Sequence, residues 1–370
     1  MEKYTYIRKT ITWENRRYEV RGKTEQEACD KLAELVASLN RGEFATSGNT
    51  TVDQWFLQWK ETYKAPSGLT QKSLGLYDEK YNGYMGPAIG TLKLKDVRDL
   101  HLQTILNTQA GMSYSHVSKL RMVMQELFRQ ARRSRLIIYD PAEGLLLPES
   151  VKRSHRPITK AERRHILAVA QTHPAGLWVL TILYTGLRPG ETAALFWEDI
   201  DFDRNEIHVY KAVESGTRTI KAPKTPAGIR DIPMRQELRE RLLAVRGEGT
   251  APVFPSANGG IRSANSLRRL WNSFAHALDL HMGAKVRDGQ ILQHAIAPDL
   301  TPYCLRHTFC TDLQRAGVPI NVAKELMGHA NISVTANIYT HRDQKVLHNN
   351  MAKLNPKGRR AVGKTQEKTV

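Results

Sequence analysis

The chain has 370 residues, 41% apolar and 25% charged, which is enough for a sizeable core and far from a disordered composition. Its 55 Lys and Arg against 37 Asp and Glu give a formal charge of +18, half of it carried by residues 151–350. No apolar run approaches the ~18 residues of a membrane span, no apolar segment follows Met1, and three cysteines (Cys29, Cys304, Cys310) make no disulfide framework. A membrane, secreted or disulfide-stapled protein is not expected, and a reducing cytosol is. The length suits two or three domains. The charge points to a polyanion such as nucleic acid, because each neutralised phosphate releases counterions, although it also fits a ribosomal or membrane-surface protein.

Residues 1–46 read as strand, turn, strand, helix. Tyr4 to Trp13 are rich in β-formers, Glu14-Asn15 turns, and Tyr18 to Arg21 resumes. Thr24 with Glu27 forms a capping box ahead of the stripe Ala28, Leu32, Leu35, Val36, Leu39. Residues 49–150 read as all-helical. Val52, Trp55, Phe56 and Trp59 recur at helical spacing, as do Val117, Leu120, Val123, Met124, Leu127 and Phe128. The latter helix ends in Arg129, Arg132 and Arg133, either a phosphate-tracking face or a solvated helix end favoured by the dipole. A basic linker follows, with Lys152, Arg153 and Arg156.

The region 155–350 opens with a Thr159/Glu162 capping box, and an apolar helix over about Leu177–Tyr184 stops at Gly186. Pro189 then starts another helix, and Glu206–Val213, Thr217–Ala222 and Ile229–Pro233 are expected to form one small antiparallel sheet. The remainder reads as helical, ending in a basic tail, 351–370. Asp199, Asp201 and Asp203 alternate in the spacing that puts three carboxylates on one face of an extended segment, but they sit in a polar turn; no phosphate-loop, dinucleotide or zinc motif is present.

Four segments carry chemistry. Thr185-Gly186-Leu187-Arg188-Pro189-Gly190-Glu191 sets an arginine at a helix start with a carboxylate one turn on. Leu305-Arg306-His307-Thr308 sets a second arginine on a later helix. Leu326-Met327-Gly328-His329 puts a histidine after a helix-stopping glycine, and Tyr339 follows ten residues later. In this order the set resembles the tyrosine recombinase (phage integrase) family, most closely the integrases of bacterial phages and conjugative transposons.

That resemblance implies a multidomain fold: a small α+β N-terminal module, an all-α SAM-like core-binding domain, and a mainly-α catalytic domain with a small antiparallel β-sheet, the DNA breaking-rejoining enzyme fold. It implies arm-site binding by 1–46, core-site binding by 49–150 and catalysis by 155–350. Arg188, Arg306, His329 and Tyr339 match catalytic positions, and Lys224 matches the family's mobile lysine, with Lys221 a nearby competitor. Tyr303 stands where the family usually has a histidine; a phenol there hydrogen-bonds phosphate but is a poor base near neutral pH, leaving the general base open. Glu191 is expected to brace an arginine, and His307 to be a helix-start residue.

The implied activity is site-specific DNA recombination through a 3′-phosphotyrosine, without metal or other cofactor. Implied partners are double-stranded attachment sites of core and arm type, a homotetramer on DNA, an excisionase and a host DNA-bending protein, in the nucleoid of a bacterial host. The alternatives are a non-catalytic DNA-binding protein on the same scaffold and a type IB topoisomerase-like enzyme.

Overall fold

The computed structural model describes residues 6–13, 16–40, 49–151, 155–214, 218–223, 225–339 and 351, and the chain divides into two compact units, residues 1–153 and 154–370. Tyr4, the Glu14-Asn15 turn, Lys152, Arg153, Lys224 and the tail beyond Met351 lie outside the described residues.

In the first unit, β1 (Ile7–Trp13) and β2 (Arg16–Gly22) pair antiparallel with Ile11 opposite Tyr18, and α1 (Glu25–Asn40) packs on the hairpin. Thr24 Oγ1 accepts the Glu27 amide at 3.2 Å, while the Glu27 carboxylate reaches back to the Lys23 amide at 2.7 Å. The helical part comprises α2 (Val52–Trp59), α3 (Gln71–Lys80), α4 (Gly86–Ile89), α5 (Asp99–Asn107) and α6 (Tyr114–Arg133). Thr51 and Gln54 cap α2 reciprocally, and the helix runs on through a π-helical turn at Lys60–Lys64. Trp55, Phe56 and Trp59 are buried with Leu120, Val123 and Leu127 of α6, and the Trp55 indole donates to the Leu127 carbonyl at 3.1 Å. These aromatics form the core of the unit rather than a stacking platform for bases.

In the second unit, α7 (Lys160–Val169) starts from the reciprocal Thr159/Glu162 box. Helix α8 (Gly176–Thr185) is apolar all round and buried from Trp178 to Thr185, making it the central element. Helix α9 (Pro189–Ala193) leads to β3 (Ile200–Asp201), β4 (Glu206–Val209), β5 (Ala212–Val213), β6 (Ile220–Lys221) and β7 (Arg230–Pro233). Then come α10 (Gln236–Ala244), α11 (Ala264–His281), β8 (Lys285–Arg287), β9 (Gln290–Gln293), α12 (Pro302–Arg315), α13 (Ile320–Met327) and α14 (Ile332–Tyr339). Helix α12 packs on α8, and α14 packs on both α12 and α13.

Two expectations need correction. The expected single sheet is two: an antiparallel β3-β4-β7 sheet and a separate β5-β6 ribbon. The strand expected over Glu206–Val213 breaks because the Tyr210 hydroxyl donates to Asp199 at 2.7 Å and Lys211 Nζ pairs with it at 2.9 Å. The stretch expected to be helical throughout holds the β8-β9 hairpin, whose Asp288 and Gly289 have φ of 51° and 76°, the two positive values that a tight hairpin turn requires. The neighbouring aspartates close structure: Asp199 also accepts the Phe196 amide at 2.7 Å, and Asp201 accepts the amides of Asp203 and Arg204. Among the described residues no helix is long and apolar enough to cross a membrane.

Candidate active site

Helix α8 ends on Gly186 in the left-handed conformation (φ 66°), where a Cβ would stand 2.5 Å from the Phe309 ring. The chain reverses there and Arg188 becomes the residue before α9, with Pro189 in the first helical position. Arg188 Nη1 donates to Glu191 Oε1 at 2.6 Å, and its amide to Glu191 Oε2 at 2.8 Å. Its Nη2 donates to the Gly328 carbonyl at 2.9 Å, 140 residues away.

Arg306 projects from α12 and is 5% exposed. It donates to the Gly186 carbonyl and, through Nη2, to the Met327 carbonyl at 2.5 Å. The two arginines therefore hold adjacent carbonyls of the loop that ends α13. Gly328 closes that helix at φ 62°, and His329 follows, buried, with Nδ1 2.9 Å from Thr335 Oγ1 of α14. With the threonine hydroxyl donating, the ring proton resides on Nε2.

A residue outside the sequence expectation completes the cluster. Arg230, at the start of β7, has a side chain 1% exposed; it donates to Glu191 Oε2 at 2.9 Å and through Nε to the Leu326 carbonyl at 2.8 Å. The signal was legible: alternation along β7 puts position 230 on the same buried face as Ile232, where an arginine must have a buried partner.

Glu191 thus braces two arginines, where the sequence reading expected one. Burial alone would raise its carboxyl, but the Arg230 hydrogen bond and the charges of Arg230, Arg188 and Arg306 outweigh it and hold it at about 2. Burial, then the Arg188 and Arg230 charges, push Arg306 down to about 9, still cationic at neutral pH. Burial and the charges of Arg306, Arg188 and Arg230 likewise lower His329 to about 3. His329 is therefore neutral near pH 7, a hydrogen-bond donor and not a further cation. Three guanidiniums against one carboxylate leave two positive charges uncompensated.

Above the cluster a cleft of about 810 Å³ is lined by Arg188, Glu191, Val213, Trp271, Tyr303 and Gly328. Tyr303 stands in its wall, one turn before Arg306 on α12. Arg268 of α11 also reaches this wall; as one of two adjacent arginines on an amphipathic helix it gave no signal in the sequence. His307, expected at a helix start, is instead the sixth residue of α12, half-buried beside Arg306, because the helix begins a turn earlier at Pro302. Lys221 is paired with Glu214 at 2.7 Å. Tyr339 is the last residue of α14, the helix that carries Thr335; its side chain lies outside the described residues.

The residues expected to meet DNA divide. Arg129, Arg132 and Arg133 are exposed and line a hollow of about 520 Å³ with Asp140 and Glu143. Arg156 has other work: its guanidinium donates to both oxygens of Glu162 (2.8 and 2.7 Å) and of Asp299 (2.9 and 3.0 Å), leaving it a clamp within the second unit.

Residues 156–345 match the phage integrase family. The chain is 25% identical to a XerC-like tyrosine recombinase of Caldanaerobacter subterraneus, over 92% of this chain and 91% of that protein. It is 30% identical to the transposase of transposon Tn916 from Enterococcus faecalis, over 44% of this chain and 41% of the relative. Among solved structures, the Tn1549 transposon integrase bound to transposon right-end DNA superposes with a TM-score of 0.66 at 22% identity, covering 82% of this chain and 99% of that one. The lambda integrase tetramer on a Holliday junction gives 0.56 at 17% identity, covering 90% and 93%.

Proposed function

The chain belongs to the phage integrase family of tyrosine site-specific recombinases, and from that premise we propose that Tyr339 attacks a DNA phosphodiester held by Arg188, Arg306 and His329. One observation carries the assignment: a buried cluster with two uncompensated positive charges lies under an open cleft. Such a cluster is costly without an anion, and a phosphodiester gaining negative charge in its transition state is the anion that repays it. Arg188 and Arg306 each use two of their five donors on the protein partners named above and keep the rest for phosphate oxygens.

In this reading the Tyr339 oxygen forms a bond to phosphorus as the bond to the 5′-oxygen breaks, leaving a 3′-phosphotyrosine. The bond energy is conserved, so a 5′-hydroxyl from the exchanging duplex reverses the step without ATP. Deprotonating a phenol of pKa ~10 near pH 7 costs about 4 kcal/mol, and the guanidinium charges offset part of that. His329 donates from Nε2 to a non-bridging oxygen, and Lys224 protonates the departing 5′-oxygen. The hydroxyl of Tyr303 adds a hydrogen bond to phosphate from the cleft wall. Residues 1–46 read arm sites and 49–150 grip core sites, where Arg129, Arg132 and Arg133 meet the phosphate backbone. Four copies assemble on the exchanging duplexes, with the segment after Tyr339 coupling neighbours. An excisionase and a host DNA-bending protein set the direction. The exposed lysines and arginines of a nucleoid-bound protein suit this work.

The test is incubation with a nicked suicide attachment-site duplex, followed by denaturing electrophoresis. The wild type is expected to form a denaturation-resistant adduct and Tyr339→Phe none. An adduct that survives Tyr339→Phe, or a wild type that forms none, overturns the nucleophile.

A further inference from the structure

We propose that His155 is a positioning residue for this reaction, its imidazole stacked flat on the Tyr303 ring so that the phenol is held against the cleft; the inference rests on the reading of that cleft as a DNA-cleaving site. Tyr303 and Arg306 are three residues apart on α12, so they project from one face of the helix. Tyr303 lines the cleft beside Arg188 while remaining 43% exposed. An aromatic side chain on such a rim samples several rotamers unless something packs on its free face.

His155 packs there. The two rings lie 5.1 Å apart between centroids with their planes at 16°, and His155 Nδ1 is 3.4 Å from the hydroxyl of Thr301, the residue that precedes α12. His155 is itself exposed, so burial in the core does not account for the stack. The backbone that carries it is fastened on both sides of Tyr303. Arg156, the next residue, makes paired hydrogen bonds to Asp299 ahead of α12 and to Glu162. Ile158 donates its amide to Thr308 Oγ1, further along α12, at 2.8 Å. Paired guanidinium–carboxylate forks fix direction as well as distance, so residues 155–158 form a strap whose leading ring has one place to go.

The experiment is single-turnover cleavage of the suicide duplex at saturating protein, with duplex affinity measured in parallel. His155→Ala is expected to slow cleavage about 3- to 10-fold, the scale of one aromatic pair, with affinity changed less than about twofold. His155→Phe, which keeps the flat ring, restores the rate to within about twofold. In a Tyr303→Leu background His155→Ala produces no further loss. Full-rate cleavage by His155→Ala, absence of rescue by Phe, or an undiminished loss in the Tyr303→Leu background overturns the proposal. Where Tyr303→Leu cleaves too slowly to measure, the coupling is read from denaturation midpoints: losses that do not add support the stack, and additive losses overturn it. Failure of the site reading is separable, because it appears as an adduct that persists in Tyr339→Phe whatever His155 does.

Discussion

Two clusters of three arginines in this chain are alike in residue type and physically different, one drawn from five residues of a single helix and the other assembled from three distant segments. At the end of α6, Arg129, Arg132 and Arg133 are exposed, and Arg132 meets Glu143 only at 3.4 Å. Beneath the cleft, Arg188 and Arg230 share the Glu191 carboxylate, and together with Arg306 they donate to the carbonyls of Gly186, Leu326, Met327 and Gly328. The first cluster is exposed to solvent with few fixed partners, which in the proposed function suits tracking a phosphate backbone. The second is held by fixed backbone oxygens, so in the proposed function it is already organised before a phosphate arrives, and little reorganisation accompanies the reaction. In the function proposed above, what separates the binding face from the catalytic one is the anchoring of the arginines, not their number.

The sharpest way to break this contrast is Arg306→Lys. An ammonium cannot span the Gly186 and Met327 carbonyls and still present a fork, so cleavage of the suicide duplex is expected to fall about 10²–10³-fold while duplex retention persists. Equal losses of binding and cleavage would place Arg306 with the α6 cluster.

Next in size, Glu191→Ala leaves Arg188 and Arg230 without their shared partner. It is expected to destabilise the protein by about 3–5 kcal/mol, measured by urea denaturation of the full chain. Because the folded-state carboxyl is held at about 2, its contribution is complete above the ordinary value of 4.5 and is lost as pH falls from there toward 2.

A smaller effect belongs to His329, which folding keeps neutral. Its pKa falls from 6.5 to about 3, so the unfolded chain binds the proton more readily between those values and stability declines as pH drops below 6.5. The loss is about 2 kcal/mol by pH 5, and His329→Gln is expected to flatten the dependence of the denaturation midpoint on pH over about 7.5 to 5. A parallel dependence in the variant would assign the titration elsewhere.

The smallest effects belong to α6. Arg132→Ala or Arg133→Ala is expected to leave stability within about 0.5 kcal/mol and to weaken duplex binding uniformly across sequences. The slope of log affinity against log salt then drops by about 0.9 for each phosphate that is no longer neutralised, as read by titration at several salt concentrations.

Most local structure was readable in advance because it depends on neighbours in sequence. The Thr159/Glu162 box, the stop at Gly186 and the all-apolar α8 are settled within a turn or two of chain, and they appear where the spacing put them. The motif residues Arg188 and His329 were legible for the same reason, each beside a helix boundary, whereas Arg306 lies more than a turn inside α12 and was legible only as part of the motif order. The β8-β9 hairpin was also legible in its Asp288-Gly289 turn, although the surrounding helical pattern masked it.

What sequence alone determined is therefore most of the helices and the order of the motif residues along them. Tertiary structure decided which of them meet: that Arg230 shares Glu191 with Arg188, that Arg156 clamps Asp299 instead of facing outward, and that His155 lies on Tyr303. It also decided that His329 is neutral and that β4 pairs with β7 rather than running on into β5. The physical reason is common to all of these. A pairing between residues tens or hundreds of positions apart, and the burial that shifts a pKa, are properties of the packed chain. No local propensity encodes them, since they depend on which surfaces exclude water together.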